Sequence, residues 1–443
     1  MRVKRGTYTV YGNERRATGF LVARRPKLLT VLAFTKLRCS VSSPSVFRRI
    51  DLLLLGITVG LTFFGLAMIA SVSVFQSYQL TQKLSGEGSN SFYLWRTFLH
   101  VLLGMGVLGT TMMIPYRVWE RWARPLFLLT ICMLIFVLLP WLNSGWGTSR
   151  SWLRLGPFSF QPAELLKLTM IFYLSVWLQK REQLIETFKD GFLPFCTLLL
   201  ISTFLVAIQP DLGSFFVLSA IATVMFFIAG GRFTHLFLGG AATAVLGFPL
   251  ILQQDYVRRR FAAFFAVLFQ PDQLSAICEG RSGYQICQAL ISIGSGRLFG
   301  VGYGKSIQKF GYLPEVQGDM IFSAMAEELG FFRLLIVLGM YAILVYRGYK
   351  VAENAPDRFG FLLATGITTW IAVQALVNIG VNLGIFPLTG LTLPFISYGG
   401  SSLLTLLAGV GILLNISMHS TSEATLARRS SRVRAKGWMS MSM

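Results

Sequence analysis

Long apolar stretches recur along this chain, separated by short polar segments. Ten of them approach the roughly 20 residues that a helix needs to cross a bilayer. They cover about residues 51–75, 97–115, 124–141, 162–179, 192–208, 212–230, 233–252, 320–346, 359–380 and 399–418. The pattern predicts an all-α polytopic membrane protein with ten transmembrane helices.

One interruption of this pattern is much longer than the others. Residues 253–319 separate the seventh predicted helix from the eighth and form a large predicted extracytoplasmic loop. An even number of spans puts both chain ends on one side of the membrane. The predicted organisation is a basic tail over 1–50, a membrane domain over 51–418 and a second basic tail over 419–443.

Composition and charge agree with this organisation. The chain is 54% hydrophobic and 13% charged, whereas soluble domains have about 25% charged residues. The net charge is +21; residues 1–50 carry twelve Lys and Arg with one acid, and residues 419–443 carry five with one acid. The positive-inside bias predicts two cytoplasmic tails resting on anionic lipid. Nucleic-acid binding is the alternative, but neither tail has the aromatic-interleaved pattern of such a surface.

Positive charge is also retained in the predicted outer loops. The residues are Arg150, Arg154, Arg258, Arg259, Arg260, Arg281, Arg297, Lys305 and Lys309. Cations on the outer face indicate an anionic partner there, such as a pyrophosphate or a lipid headgroup. Anchoring to lipid headgroups explains the run Arg258–Arg260 equally well.

Five cysteines and three histidines show no metal-ligand spacing, so the sequence predicts no metal site of its own. Cys278 and Cys287 share the predicted outer loop, where they form either a disulfide or two free thiols.

The polar stretch from Tyr284 to Gly330 contains the candidate chemistry. Its segment 304–306, Gly-Lys-Ser, resembles the end of a phosphate-binding loop, but Phe299 stands where the first glycine is required, which excludes that class. Glu315 and Asp319 lie four residues apart, on one face if the segment is helical. A partly desolvated carboxylate there can act as a general base; the alternative is an acid that stabilises a helix start.

A second polar group occurs at the start of the fourth and sixth predicted spans. Glu164 and Lys167 are three residues apart and share a helix face, and Asp211 begins the sixth span on the same side. A lysine at membrane depth requires a carboxylate partner. The pattern predicts a salt bridge that ties the two spans together, with a role in the site as the alternative. Glu327 and Glu328, inside the eighth span, form either another polar contact or a pair with a basic group.

Irregular backbone interrupts the apolar pattern near the end of the membrane domain. Segment 378–382 is Asn-Ile-Gly-Val-Asn, and segment 390–402 is rich in Gly, Pro and Ser, including Ser397 and Ser401. Such backbone is tolerated at membrane depth only against protein or a wet cavity. These segments are predicted to line a cavity.

Together these stretches resemble the SEDS family (shape, elongation, division and sporulation proteins), the polytopic peptidoglycan polymerases of bacteria. The matching pieces are SWLRLGPFSFQPAELLKL at 151–168, QPDLGS at 209–214, residues 283–330, and NIGVNLGIFPLTGLTLPFISYGGSSLL at 378–404. They extend over most of 51–418. The segments SIQK and GLTLPFISYGGSS resemble the cell-division member more than the elongation member.

The resemblance implies ten membrane helices and polymerisation of lipid II outside the cytoplasmic membrane. The family's essential catalytic carboxylate falls on Asp319. Its QPSExxK acid and lysine fall on Glu164 and Lys167, and its QPDLG acid falls on Asp211. The predicted substrate-binding residues are Arg150, Arg154, Lys305, Gln308, Lys309, Glu315, Ser397 and Ser401, with Glu164, Lys167 and Asp211 supporting the site.

This sequence departs from the family pattern in three places. Gly-Asp-Met at 318–320 replaces Thr-Asp-Phe, and Ala163 and the glycine at 318 lack the hydroxyls common in the family. Ser151 occupies the usual arginine position, with Arg150 one residue earlier. The substrate contact of that arginine is therefore not carried over to Ser151.

The implied reaction joins a sugar hydroxyl to an anomeric carbon that releases a lipid-linked pyrophosphate. It needs one base, and it needs cations for the departing charge: Arg, Lys or a divalent ion such as Mg²⁺ or Mn²⁺. The alternatives are a lipid II flippase and a non-catalytic scaffold. The resemblance also implies a class B penicillin-binding protein (transpeptidase) and other division proteins as partners, and a location in the inner membrane at the division septum.

Overall fold

Helices make up nearly all of the regular structure. The computed structural model describes residues 50–139, 151–155, 158–242, 253–270, 278–279 and 281–419. All of them belong to the unit formed by residues 45–443; residues 1–44 form a second unit that lies outside the described residues. The predicted N-terminal tail therefore lies almost wholly outside the described part, as does the C-terminal tail beyond His419.

Thirteen helices are described in these ranges. They are α1 (Leu52–Val72), α2 (Val74–Ser85), α3 (Phe92–Met113), α4 (Arg117–Leu138), α5 (Pro162–Lys180), α6 (Leu193–Ile208), α7 (Leu212–Ile228), α8 (Phe233–Ala242), α9 (Asp255–Phe269), α10 (Arg281–Gly296), α11 (Ile321–Glu353), α12 (Arg358–Asn382) and α13 (Gly400–His419). A π-helical turn, Phe188–Phe192, leads into α6.

Seven helices in the described ranges are long and apolar enough to cross a membrane: α1, α3, α4, α6 with its π-helical turn, α11, α12 and α13. Helix α7 is apolar but has 17 residues. Helix α5 has 19 residues and contains charged side chains, and α8 ends at Ala242, where the described segment stops. The helical membrane character is confirmed, and the count of ten spans stays a prediction.

The structure corrects the purely helical prediction at one place. Strands β1 (Leu153–Leu155) and β2 (Phe158–Phe160) form an antiparallel hairpin, with Leu153 opposite Phe160 and Leu155 opposite Phe158. Apolar and polar residues alternate along both strands, which is the period of a half-buried strand. Each strand has only three residues, so the hairpin does not stand out from the longer apolar spans on either side of it.

The predicted outer loop at 253–319 is also more ordered than expected. Its described part contains α9 and α10, and a disulfide joins Cys278 to Cys287 with Cα atoms 5.7 Å apart. Both helices are shorter than the 20 residues of a membrane span. Span length alone therefore predicts a loop where these two helices lie.

Burial distinguishes inner helices from outer ones. Helices α12 and α13 are buried over most of their length, and α12 packs against α5, α7 and α11. In contrast, α3 exposes Trp95, Leu99, Leu102 and Leu103. Exposed apolar side chains in such number suit a lipid-facing surface.

Helix α11 is interrupted at Gly330, where φ is 75° and ψ is 176°. Segment 297–302 fills the break with four backbone hydrogen bonds. The amides of Val301 and Gly302 donate to the carbonyls of residues 327 and 328, at 2.9 and 3.1 Å. The amides of residues 331 and 332 donate to the carbonyls of residues 297 and 298, at 3.0 and 3.2 Å. The peptide groups released by the break therefore find partners within the protein, as lipid-embedded backbone requires.

Two glycines allow this close approach of two backbones. A Cβ on Gly330 would lie 2.1 Å from the amide nitrogen of Gly300, and a Cβ on Gly300 would lie 2.3 Å from the carbonyl oxygen of Glu328. Both glycines have positive φ, which other residues adopt only with strain.

We expect Gly330→Ala to destabilise the protein by at least about 2 kcal/mol, because it adds strain at positive φ and displaces segment 297–302. Gly339→Ala is the matched control, since Gly339 lies in the same helix with open space around its Cα. Alanine there should be neutral or stabilise by about 0.5–1 kcal/mol. Thermal unfolding in detergent measures both; equal stability of the two variants would contradict the role of the break.

Candidate active site

The polar groups predicted from the sequence converge at one end of the helical bundle. There α5, α7 and α11 begin, while α1 and α12 end. Three side-chain hydrogen bonds join these ends: Ser71 to Glu328, Gln161 to Asp211, and Asn382 to the carbonyl of Asp319. We call this region the site end of the bundle.

Asp319 lies in the turns that precede α11, and its backbone is held by α12. Its carbonyl oxygen accepts hydrogen bonds from Nδ2 of Asn378 at 2.9 Å and from Nδ2 of Asn382 at 2.8 Å. The Oδ1 of Asn382 accepts from the amide and hydroxyl of Ser323, in the first turn of α11. The main chain of Asp319 is thus held by two side-chain amides of α12.

The carboxyl group of Asp319 is only partly satisfied by the protein. The residue is partly exposed, but its Oδ1 is buried and has no hydrogen-bond partner among the described residues. Burial, reinforced by the negative charge of Glu315, raises the pKa of Asp319 to about 7. The positive charge of Arg260 and a hydrogen bond from Gln285 oppose that rise. A carboxyl group with a pKa near neutrality is suited to accept a proton at physiological pH.

Glu315 is close enough to Asp319 to act on its charge, but not on a shared helix face. The segment 311–320 consists of turns, and α11 begins at Ile321 with Met320 as N-cap and no side-chain cap. The condition for a shared helix face is therefore not met, and neither acid caps α11 with its side chain. Glu315 has a φ of 50°. It is exposed as a residue, yet the protein around it displaces enough water to raise its pKa.

Three amides on α12 connect Asp319 to a second polar cluster. Gln374, Asn378 and Asn382 recur every four residues, which places them on one face of the helix. Nδ2 of Asn378 also donates to the carbonyl of Leu391 at 2.7 Å, and Nε2 of Gln374 donates to the carbonyl of Thr392 at 3.1 Å. The amides thereby hold the irregular segment that follows α12 against the site end.

The second cluster is built around Lys167, which is fully buried. Its Nζ lies 2.7 Å from Oε1 of Glu164 and 3.1 Å from Oε1 of Gln374. It also lies 5.9 Å from the ring centroid of Trp370. Glu164 has a second oxygen, Oε2, that is buried without a partner in the described residues. The ion pair lies within α5, and the hydrogen bond from Lys167 to Gln374 joins α5 to α12.

Asp211 belongs to this cluster by charge rather than by a direct bond to Lys167. Its Oδ1 accepts the amide of Ser214 at 2.9 Å and caps α7, and its Oδ2 accepts Nε2 of Gln161 at 2.9 Å. Burial is the largest effect and raises the pKa of Asp211. The hydrogen bond from Ser214 and the positive charge of Lys167 lower this pKa, and the negative charge of Glu164 raises it. The predicted tie between the fourth and sixth spans is therefore formed by Gln161 and Asp211, while Lys167 pairs within its own helix.

Lys309 is buried in a different ion pair. Its Nζ lies 3.2 Å from Oε1 of Glu328 and 2.6 Å from the carbonyl oxygen of Gly304, and Ser71 hydrogen-bonds to both charged groups. Of the two alternatives for Glu328, the structure shows the pair with a basic group. Substrate binding by Lys309 stays a prediction, and its ammonium already has three protein partners.

Glu327 forms the polar contact of the other alternative. Its carboxylate accepts hydrogen bonds from the hydroxyls of Ser292 and Ser306, at 3.1 and 2.6 Å, and from the amide of Ile307 at 3.0 Å. The two adjacent acids of α11 thus hold the polar stretch against that helix: Glu327 binds Ser292, Ser306 and Ile307, and Glu328 pairs with Lys309.

The other predicted substrate-binding residues have varied surroundings. Lys305 is exposed, and Gln308 is half-buried with its Oε1 lacking a partner in the described part. Ser397 and Ser401 are buried, and their hydroxyls accept the backbone amides of residues 393 and 161. Arg150 lies outside the described residues, and only the backbone of Arg154 is described.

Sequence reasoning missed Arg260, Gln285 and Gln374 as site residues. In the sequence, Arg260 stands in the basic run 258–260. In the structure, its guanidinium donates to the carbonyl of Leu388 at 2.7 Å. The four-residue spacing of Gln374, Asn378 and Asn382 was a detectable signal for the amide ladder. No comparable signal marks Gln285, whose helix was assigned to a loop.

Comparisons with known proteins decide the family. Residues 51–422 match the family FTSW_RODA_SPOVE, described as "Cell cycle protein". The chain belongs to this family. It is 38% identical to stage V sporulation protein E of Bacillus subtilis over 373 residues, or 84% of this chain and 97% of that protein. It is 37% identical to a probable peptidoglycan glycosyltransferase FtsW of Geobacter sulfurreducens over 369 residues, or 83% and 95%.

Solved structures agree with this assignment. One, titled "Structural coordination of polymerization and crosslinking by a peptidoglycan synthase complex", has a TM-score of 0.67 at 27% identity, with 84% of this chain and 98% of that chain covered. The rod shape determining protein RodA of Thermus thermophilus has a TM-score of 0.59 at 27% identity, with 83% and 96% covered. The predicted resemblance to the SEDS family is confirmed.

A divalent cation fits this site only in part. Within the described residues no group of three or more His, Cys, Asp or Glu is arranged to hold a metal. Asp319 with its unpartnered Oδ1, and the nearby Glu315, supply two carboxylates. Mg²⁺ is commonly bound by one or two carboxylates together with substrate phosphates. The residues therefore fit a cation that is shared with a phosphate-bearing substrate.

We expect Lys309→Met to destabilise the protein by about 3–5 kcal/mol, because it leaves the carboxylate of Glu328 buried without its ion pair. The double variant Lys309→Met, Glu328→Gln should recover most of that loss. Lys305→Met, which removes an exposed lysine from the same segment, should change stability by less than about 0.5 kcal/mol. Thermal unfolding in detergent measures all three. A double variant no more stable than the single one would show that the pair is not coupled.

Proposed function

We propose that this chain is a peptidoglycan glycosyltransferase that polymerises lipid II into glycan strands. Its FtsW-named relatives and the titles of its structural neighbours support this activity. The observation that carries the mechanism is Asp319: a carboxyl group with a pKa raised to about 7 and an unpartnered oxygen, on a main chain fixed by two amides.

Asp319 acts as the general base. It takes the proton of the acceptor sugar hydroxyl as the hydroxyl oxygen bonds to the anomeric carbon of the donor. The bond from that carbon to the lipid-linked pyrophosphate breaks at the same centre, and undecaprenyl pyrophosphate leaves with the electron pair. A pyrophosphate leaves without protonation, so one carboxylate suffices here, unlike in glycoside hydrolysis.

The departing negative charge requires cations. Arg260 is close enough to act on the charge of Asp319. Lys305 is exposed in the same stretch, and Arg150 and Arg154 are further candidates. A divalent cation, Mg²⁺ or Mn²⁺, shared by the carboxylates and the pyrophosphate, would supply Lewis-acid stabilisation of that charge. Gln308, Lys309, Ser397 and Ser401 complete the proposed substrate-binding set.

The proposed setting is the bacterial inner membrane at the division septum, with ten spans and both termini cytoplasmic. The short polar segments 116–117, 181–192 and 354–358 lie at the end of the bundle opposite the site end and contain several Lys and Arg. A class B penicillin-binding protein is the proposed partner, since a structural neighbour is described as a peptidoglycan synthase complex.

Two other functions give different expectations. A lipid II flippase needs a path across the bilayer and does not need Asp319 as a base. A scaffold that recruits a transpeptidase needs neither Asp319 nor the buried Lys167–Glu164 pair. Polymerisation by the purified protein in detergent, where no membrane has to be crossed, separates both from the proposed activity.

We expect Asp319→Asn to lower lipid II polymerisation by at least about 100-fold, because it removes the base while keeping the shape of the side chain. Glu315→Gln removes the neighbouring carboxylate but keeps the base, so as a comparison variant it should lower the rate by no more than about tenfold at pH 8. The assay uses purified protein, with and without the transpeptidase partner and with and without Mg²⁺. A folded Asp319→Asn variant that polymerises at the native rate would remove Asp319 from the role of base.

The rate should also depend on pH in a defined direction. Asp319 is active when deprotonated, so kcat/KM should rise with pH and reach half of its maximum near the pKa of about 7. Glu315→Gln removes a like charge and should move this midpoint to lower pH, whereas Arg260→Gln should move it to higher pH. Initial rates from pH 5 to 9 test this; midpoints that do not move in opposite directions would contradict the assignment.

A further inference from the structure

A basic cavity lies at the end of the bundle opposite the site end. It is formed between α4 and the last turns of α5, has a volume of about 180 Å³, and is lined by Arg124, Lys180, Arg181 and three residues of α5. Glu164 and Lys180 are sixteen residues apart on α5, which corresponds to about 24 Å along the helix. The cavity is therefore separate from the site of Asp319.

No carboxylate pairs with two of the cations of this cavity in the part of the chain that the structure describes: Arg124 and Lys180 form no ion pair there. Other arginines at the same end do have such partners: Arg117 with Asp357, Arg232 with Glu186, and Arg358 with Glu182. Acids are thus present at this end of the bundle, but the described lining of the cavity contains none.

Arg181 is held in place by groups that leave its charge uncompensated. Its guanidinium lies 4.9 Å from the ring centroid of Trp177 and donates to the carbonyl oxygen of Asp190 at 3.2 Å. Neither contact supplies a negative charge. The cation is thus oriented in advance, which lowers the entropy lost when an anion binds.

The remaining wall of the cavity is aromatic and apolar. Tyr173 stacks on Phe127 with ring centroids 4.7 Å apart, and Trp177 and Val176 complete the lining. Trp and Tyr together with cations are typical of the level of lipid headgroups in a membrane protein. Pockets for drug-sized ligands have volumes of about 300–1,000 Å³, so this smaller cavity suits a headgroup rather than a whole soluble ligand.

We propose that this cavity binds the phosphate of an anionic glycerophospholipid headgroup. Arg124, Lys180 and Arg181 supply the charge, and basic pockets between membrane helices recognise such headgroups. Trp177 and Tyr173 contact the glycerol and upper acyl region. The three cations and the aromatic wall select a lipid with net negative charge over a zwitterionic one.

The test is a native mass spectrometry titration of the full-length protein in detergent. Phosphatidylglycerol and phosphatidylcholine with identical acyl chains are compared. The data are fitted to the tightest site, because the basic tails also attract anionic lipid. The native protein should bind phosphatidylglycerol at least tenfold more tightly than phosphatidylcholine. Equal affinity for the two lipids would overturn the proposal.

Paired charge-removing variants locate the site. Arg124→Gln with Lys180→Gln should weaken phosphatidylglycerol binding about 25-fold, at about fivefold for each charge. Arg121→Gln with Lys189→Gln removes the same charge from exposed positions of neighbouring turns and should change the affinity by less than twofold. Arg124→Lys with Lys180→Arg should keep the native affinity.

Three results would contradict the inference. Equal loss in the cavity variant and the control variant would show attraction by overall charge only. A cavity variant with native affinity would place the lipid elsewhere. Displacement of phosphatidylglycerol by millimolar inorganic phosphate would assign the cavity to a soluble anion. Thermal unfolding of each variant confirms that the exposed substitutions leave the fold intact.

Discussion

The site depends on one constraint, which is that polar groups placed at membrane depth must find partners inside the protein. Lys167 meets it through Glu164 and Gln374, and Lys309 meets it through Glu328 and Gly304. Even the peptide groups released at Gly330 are paired. The carboxyl oxygen Oδ1 of Asp319 is one of several buried polar atoms without a partner in the part of the chain that the structure describes; Oε2 of Glu164 is another. Burial of such an atom is unfavourable, and Asp319 differs from Glu164 in lying in turns at the partly exposed end of the bundle rather than inside a helix.

Main-chain and side-chain functions of Asp319 are separated in this fold. Asn378 and Asn382 hold the carbonyl, so the carboxyl group can change protonation without loosening the segment that carries it. The same α12 face reaches the Lys167 cluster through Gln374. One helix therefore contacts both the main chain of Asp319 and the buried Lys167–Glu164 pair. A substitution in either cluster is expected to shift the side chains of the other, because α12 contacts both.

Several parts of this arrangement could be predicted from the sequence. Apolar runs of span length located most helices, because lipid enforces that pattern directly. The spacing of Glu164 and Lys167 placed them on one helix face, but the predicted salt bridge between two spans is instead an ion pair within α5. The partner of Lys309 could not be predicted from the sequence, because its contact with Glu328 depends on the packing of segment 297–302 into the break of α11. Arg260 and Gln285 were missed because α9 and α10 are shorter than a bilayer is thick, and the hairpin because its strands have three residues each.

The break in α11 has a mechanical consequence. Residues 321–329 are connected to the long membrane-crossing part that follows Gly330 through a non-helical residue and through hydrogen bonds with segment 297–302. A membrane helix tilts when bilayer thickness changes. Segment 297–302 hydrogen-bonds to residues on both sides of the break, so it bridges the two parts of α11. A change in tilt of the membrane-crossing part would therefore reach residues 321–329, and Asp319 just before them, through that segment.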